Sequence, residues 1–166
     1  MKFNYYGFKA IYVHEMNRFL RTVGQSLLSP VISTSLYFVV FGSVIGGYIQ
    51  KIDGVSYGSY IVPGLLMLTL LTQSISNTSF GIFFPKFNGT INEILAAPIS
   101  TLETVLAFVG AGATKTLIVG AVIYVTATFF AEVTVKHPML MIFLLVLVSF
   151  TFALFGFLIG VVSKDF

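Results

Sequence analysis

Groups able to do chemistry are scarce in this sequence and unevenly placed. Only 9% of the 166 residues are charged. The polar ones gather in Pro85-Lys86-Phe87-Asn88-Gly89-Thr90-Ile91-Asn92-Glu93-Ile94-Leu95-Ala96-Ala97-Pro98-Ile99-Ser100-Thr101-Leu102-Glu103. Thr90 and Glu93 have the spacing of a capping box, in which a hydroxyl and a carboxylate each satisfy the other's orphan backbone N–H. Ser100 and Glu103 repeat that spacing further on. Pro98, between them, lacks the donor that a continuing helix would need. The stretch predicts a helix of about two turns, a break and a second helix start. So short a helix is marginal in water by itself, and Ile91, Ile94 and Leu95 need something to pack against. The chemistry on offer is docking onto another protein.

The remaining reactive residue types form no constellation. Gly110-Ala-Gly-Ala-Thr-Lys115-Thr116 faintly suggests a phosphate-binding loop, but that motif needs glycines six and one positions before the lysine, where Val109 and Thr114 stand. His14 and His137 fall on opposite sides of the predicted membrane, which leaves no metal site between them. The absence of cysteine removes disulfides and thiolate metal sites. Asn77-Thr-Ser79 and Asn88-Gly-Thr90 match glycosylation acceptors, one at membrane depth and the other on the inner side. Asn88-Gly89 has no flanking strands to make it a hairpin turn. No Ser/His/Asp set or paired carboxylates appear. A membrane-embedded enzyme would need ionisable groups at depth, and only Lys115 comes near. No catalytic residue, metal or cofactor is expected in the chain itself.

These groups must be held by apolar elements. Mean hydropathy is +0.97, and the charged fraction is far below the roughly 25% of a soluble domain. Residues 22–50, 54–85 and 137–163 carry no Asp, Glu, Lys or Arg. Each run exceeds the roughly 20 residues a helix needs to cross hydrocarbon, and none alternates as a barrel strand would. The predicted fold is all-α and polytopic across residues 1–166. Its spans are expected at about 27–49, 60–84, 113–133 and 138–162, with an N-terminal interfacial helix and a short helix between spans two and three.

In the first segment Phe8, Tyr12, Met16, Phe19 and Val23 form an apolar stripe, with His14, Arg18 and Arg21 on the other side. This predicts a helix lying in the membrane interface. Pro30 falls near the expected start of span one, where a missing N–H costs least. Gly42 with Gly46, and Gly156 with Gly160, are small-xxx-small pairs that let another helix approach. A short polar turn is expected from Gln50 to Gly58. Along span two, Thr69, Thr72, Gln73, Ser76, Asn77 and Ser79 recur at helical spacing. Unpartnered amides are costly in hydrocarbon, so this face reads either as helix–helix hydrogen bonding or as the lining of a substrate path. Lys115 interrupts span three and is expected to snorkel to the inner interface, with residues 104–114 as an interfacial lead-in. Glu132, Lys136 and His137 mark the outer loop.

The basic residues orient the chain. Lys2, Lys9, Arg18, Arg21, Lys86 and Lys164 fall on one side with Lys115 bordering it, against Lys51 and Lys136 on the other. The positive-inside rule places the N-terminus and the capped stretch in the cytoplasm. The small net charge of +3 is explained by topology, not by nucleic-acid binding.

Together these features resemble the membrane subunit of type-2 ATP-binding-cassette exporters, the family of polysaccharide, lipo-oligosaccharide and drug export permeases. The likeness rests on the basic entrance from Glu15 to Arg21, Pro30, Tyr37-Phe-Val-Val-Phe-Gly42 and Tyr60-Ile-Val-Pro-Gly64. It rests most on Phe87-Asn-Gly-Thr-Ile-Asn-Glu-Ile-Leu-Ala-Ala-Pro-Ile99, then on Gly110 to Lys115 and Gly156 to Phe166. The resemblance implies a multi-pass inner-membrane permease that is not itself an enzyme. It would work in membrane lipid with a second permease copy, identical or different, and a separate ABC subunit that binds and hydrolyses ATP. Gly89, Thr90, Ile91, Asn92, Glu93, Ile94 and Leu95 would be the coupling helix docked on that subunit. Members usually carry six spans, so the four here read as the N-terminal portion of a longer domain. A different class, a small four-span pore or assembly protein without an ATPase, would leave the capped stretch unexplained. The placement of that stretch is directly testable. A cysteine at Asn92 is expected to resist a membrane-impermeant maleimide added to intact cells and to react once the membrane is opened.

Overall fold

The computed structural model describes residues 3–45, 51–52, 54–133 and 135–163. Lys2, Gly46, Gln50 and Lys164 to Phe166, invoked above for orientation, packing, the polar turn and family likeness, lie outside these, as does the expected end of span one at 46–49. The described chain is all-helical apart from one minimal two-stranded ribbon. Helix α1 spans Tyr5–Arg21, α2 spans Val23–Val39 and continues as a π-helical turn over Val40–Ile45. Strands β1 (Lys51–Ile52) and β2 (Val55–Ser56) pair antiparallel around Gly54 where a polar turn was expected. Then come α3 (Tyr57–Phe87), α4 (Ile91–Ala96), α5 (Thr101–Phe130) and α6 (Pro138–Val162). Among the described residues four helices, Val23–Gly42, α3, α5 and α6, are long and apolar enough to cross a membrane.

Helix α5 is the axis of the bundle. Lipid is as apolar as leucine, so helices in a membrane associate through close packing and polar contacts. Six of the thirteen buried residues of α5 are alanine or glycine: Ala107, Ala111, Gly112, Ala113, Gly120 and Ala127. These small residues let α1, α2, α3 and α6 all reach α5. Each buried apolar cluster includes α5: Val119 and Ile123 with Phe19, Leu66 and Leu70; Ala127 with Phe38 and Val62; Val109 and Ala113 with Ala153.

The α3–α6 pair is closed by the expected glycines. A Cβ on Gly156 would lie 2.5 Å from the Ile75 carbonyl oxygen, and one on Gly160 would lie 2.7 Å from that of Ser79. Higher up, the buried Ser74 hydroxyl donates to Ser149 O over 2.6 Å.

Three expectations about the spans are corrected. Pro30 is buried inside α2 instead of opening it, because the helix starts at Val23, after a single-residue break at Thr22 whose hydroxyl donates to Arg18 O. The predicted lead-in at 104–114 is no separate segment but the first part of an unbroken α5, whose 30 residues measure about 45 Å. Lys115 lies well inside that helix and is only 3% exposed. It turns into the protein instead of snorkelling, because a counter-charge waits there.

Replacing Gly156 by Ala is expected to drive a methyl group into the α3 backbone at a cost of about 1–3 kcal/mol. A heated-aliquot size-exclusion assay should show a lowered denaturation midpoint for Gly156→Ala and an unchanged one for Gly64→Ala, since nothing lies within 4 Å of a Cβ at Gly64.

Candidate functional site

The short helix α4 is sparsely packed. It is six residues long and none is buried; Leu95 is 73% exposed. Its entry differs from the expected capping box. Gly89 adopts φ +76°, a left-handed conformation open to glycine at little cost, and this reverses the chain after α3. Thr90 is then already helical (φ −68°, ψ −12°) and makes no side-chain cap bond, since a box needs an extended N-cap. The Glu93 N–H goes instead to Thr90 O (3.1 Å), and the Thr90 hydroxyl reaches Pro85 O (3.4 Å). Gly89, Thr90, Asn92, Glu93 and Leu95 are exposed, while Ile91 and Ile94 are half-buried. The expected docking residues thus sit together on one short protruding element.

What α4 lacks in packing is supplied at its two ends. Downstream, the Ser100–Glu103 capping box is formed: Glu103 N donates to Ser100 Oγ (3.3 Å) and Ser100 N donates to Glu103 Oε2 (2.8 Å). The other carboxylate oxygen, Oε1, accepts Asn4 N from the start of α1 (2.6 Å), and Asn4 Nδ2 donates to Pro98 O (3.1 Å). Asn4 Oδ1 meanwhile caps its own helix through Gly7 N (3.1 Å). Two helix N-termini are therefore tied in one knot directly after α4. Upstream, Lys86 Nζ donates to Gly160 O (3.3 Å), Val161 O (2.7 Å) and Ser163 O (2.7 Å). These belong to the unsatisfied carbonyls at the C-terminal end of α6, where a cation also meets the negative end of the helix dipole.

A third polar cluster joins α1 to α5. Lys115 Nζ donates to Glu15 Oε2 over 2.7 Å, and Arg18 Nη2 reaches the same oxygen over 2.8 Å. Tyr12 OH donates to Thr114 Oγ1 nearby (2.9 Å). The sequence reading placed Arg18 away from the apolar stripe and gave Glu15 no role. A carboxylate lying inside the Tyr12–Phe19 stripe, set against Lys115 as the lone charge of residues 104–131, was the available signal.

The polar residues of α3 divide between two faces. Ser74 and Thr78 point into the bundle, while Thr72 and Ser76 are exposed on its outside, with Thr69, Gln73, Asn77 and Ser79 half-buried between. Thr69 and Thr72 donate to carbonyls of their own helix, Leu65 O and Leu68 O. The buried Asn77 Nδ2 has no hydrogen-bond partner among the described residues.

The described residues thus form a membrane bundle with a short exposed helix fastened at both ends between α3 and α5. A family model for the ABC-2 type transporter matches residues 6–166, and the chain belongs to that family. It is a multi-pass inner-membrane protein, and its resemblance to the export permeases is thereby confirmed at family level. Its relatives include the inner membrane transport permease YadH of Escherichia coli K12 and the same-named proteins of Escherichia coli O157:H7 and Shigella flexneri. Each is 37% identical over 158 residues, covering 95% of this chain and 62% of the relative. The chain thus spans less than two thirds of the length of these relatives. No solved structure matches it.

Removing the upstream anchor has a local signature. Lys86→Met is expected to fray the last turn of α6, seen as faster amide hydrogen exchange at 160–163 with the mid-helix amides near Ser149 unchanged.

Proposed function

We propose that the chain is the permease portion of an ATP-driven exporter in which α4 is the coupling helix. Gly89, Thr90, Ile91, Asn92, Glu93, Ile94 and Leu95 dock on a separate subunit that binds and hydrolyses ATP. The observation that carries this reading is the mismatch at α4: a helix too short to be stable alone is held at both ends yet buries none of its residues and leaves Leu95 bare. An element arranged in this way receives force and passes it into α3 and α5. The chain needs no catalytic residue for that task, and ATP is bound by the partner. The basic bias puts α4 and the N-terminus in the cytoplasm, where ATP is available.

A second permease copy, identical or different, completes the assembly. The outward face of α3, with Ser76 exposed and Gln73 beside it, favours that arrangement. Hydroxyls and amides facing pure lipid would be left without partners, whereas a second copy or a wet path between copies supplies them. The cargo class is left open by such a lining, which suits sugars, lipids and amphiphilic drugs alike.

The docking role is tested by co-purification. Ile94→Glu or Gly89→Asp is expected to abolish capture of the ATPase subunit by tagged permease while leaving the permease folded. Undiminished capture by both folded variants would refute it.

A further inference from the structure

Two charges of opposite sign lie buried against each other where α1 crosses α5. Glu15 is 2% exposed and Lys115 3%, and the part-exposed Arg18 shares the carboxylate oxygen that Lys115 holds. The cluster touches a third helix as well. A Cβ on Gly81 of α3 would stand 3.4 Å from Glu15 Oε2 and 3.8 Å from Arg18 Nη2. Helices α3 and α5 lead into and out of α4, so both of its arms meet α1 at this point.

An ion pair is a poor choice for mere adhesion, because apolar residues of similar volume hold helices together at least as well. It has a property that apolar contacts lack. Leucine surfaces in lipid can slide past one another at little cost, but moving Glu15 away from Lys115 leaves a buried lysine without its counter-charge. The contact is either intact or broken. It fixes the axial register of α1 on α5, and the Asn4–Glu103 and Tyr12–Thr114 bonds fix it again toward the N-terminus of both helices. Past Thr22, α1 runs almost directly into α2, whose sides are largely free of neighbours within the chain.

We infer that the Glu15–Lys115 pair, assisted by Arg18, is the joint through which displacement of α4 reaches the first span. Helix α5 carries Lys115, Lys115 holds Glu15, and α1 carries α2. Glu15 and Lys115 act as positioning residues that touch neither nucleotide nor cargo. The inference rests on α4 being the docking element, and its test separates the two.

The full-length permease assembled with its ATPase subunit in lipid nanodiscs is trapped with magnesium-ATP and vanadate. Distances are read by pulsed dipolar spectroscopy from nitroxides at Gln25 on α2 and Leu106 on α5, each to a nitroxide at Leu154 on α6. Trapping is expected to shift both distances in the otherwise unaltered protein. In Glu15→Gln and Lys115→Gln the Leu106 shift should persist and the Gln25 shift should be lost, with ATP turnover retained. Lys115→Arg keeps the pairing, and the exchanged pair Glu15→Lys with Lys115→Glu keeps one anion and two cations in the cluster with an ion pair across α1 and α5; both should retain the Gln25 shift. A Gln25 shift that survives in the single glutamine variants overturns the joint. So does its loss in folded Lys115→Arg or in the folded exchanged pair, which keeps the test decisive if the glutamine variants fail to assemble. No shift at Leu106 in the unaltered assembly, or no bound ATPase subunit, overturns the docking role of α4 itself and the joint with it.

Discussion

Hydrocarbon supplies neither hydrogen bonds nor counter-ions, so every polar group at depth must be satisfied by the protein. This chain meets that constraint by making α5 narrow. Alanines and glycines along its packed sides bring four other helices close to its backbone, and the lysine that interrupts it is buried because Glu15 on α1 comes within hydrogen-bonding distance. A bulkier α5 would hold α1 off, and Lys115 would have to reach for the interface. The small residues and the charge pair are thus two parts of one solution.

The same logic governs the region around α4. Helix ends carry unsatisfied donors and acceptors, and the chain uses them as fastening points. Glu103 serves two helix starts with one carboxylate, and Lys86 serves one helix end with one ammonium. The fastenings lie outside the segment they hold, so α4 is secured at its ends while Leu95 and most of its surface stay exposed.

Three of the spans were legible because hydropathy is a local property and long charge-free runs admit few alternatives; the third, interrupted by Lys115, was read too short at its start. The break at Pro98 and the Ser100–Glu103 box were legible for the same reason, since a capping box is decided within four residues. The Thr90–Glu93 box was not. Its spacing is equally good, but the left-handed turn at Gly89 rotated Thr90 into the helix before its hydroxyl could cap anything. Pro30 misled in the same way, by assuming a helix start that α1 had already supplied. Lys115 shows the limit most clearly. Whether a lone cation snorkels or turns inward depends on a partner a hundred positions away; the local sequence marks Glu15 and Lys115 each as an out-of-place charge but does not pair them. The face of α3 illustrates a related point: helical spacing identified a polar strip, but not which of its edges the rest of the bundle would cover.

One fastening also bears on the order in which the chain can be assembled as it leaves the ribosome. The acceptors of Lys86 lie 74 to 77 positions downstream, so that end of α4 stays loose until the fourth span has been made and inserted. The knot at Asn4 and Glu103 needs only the chain as far as the start of α5 and can close much earlier. Biogenesis therefore secures the handle from one side first. Until α6 arrives, the nascent protein exposes a half-tethered segment to any chaperone or partner that reaches it.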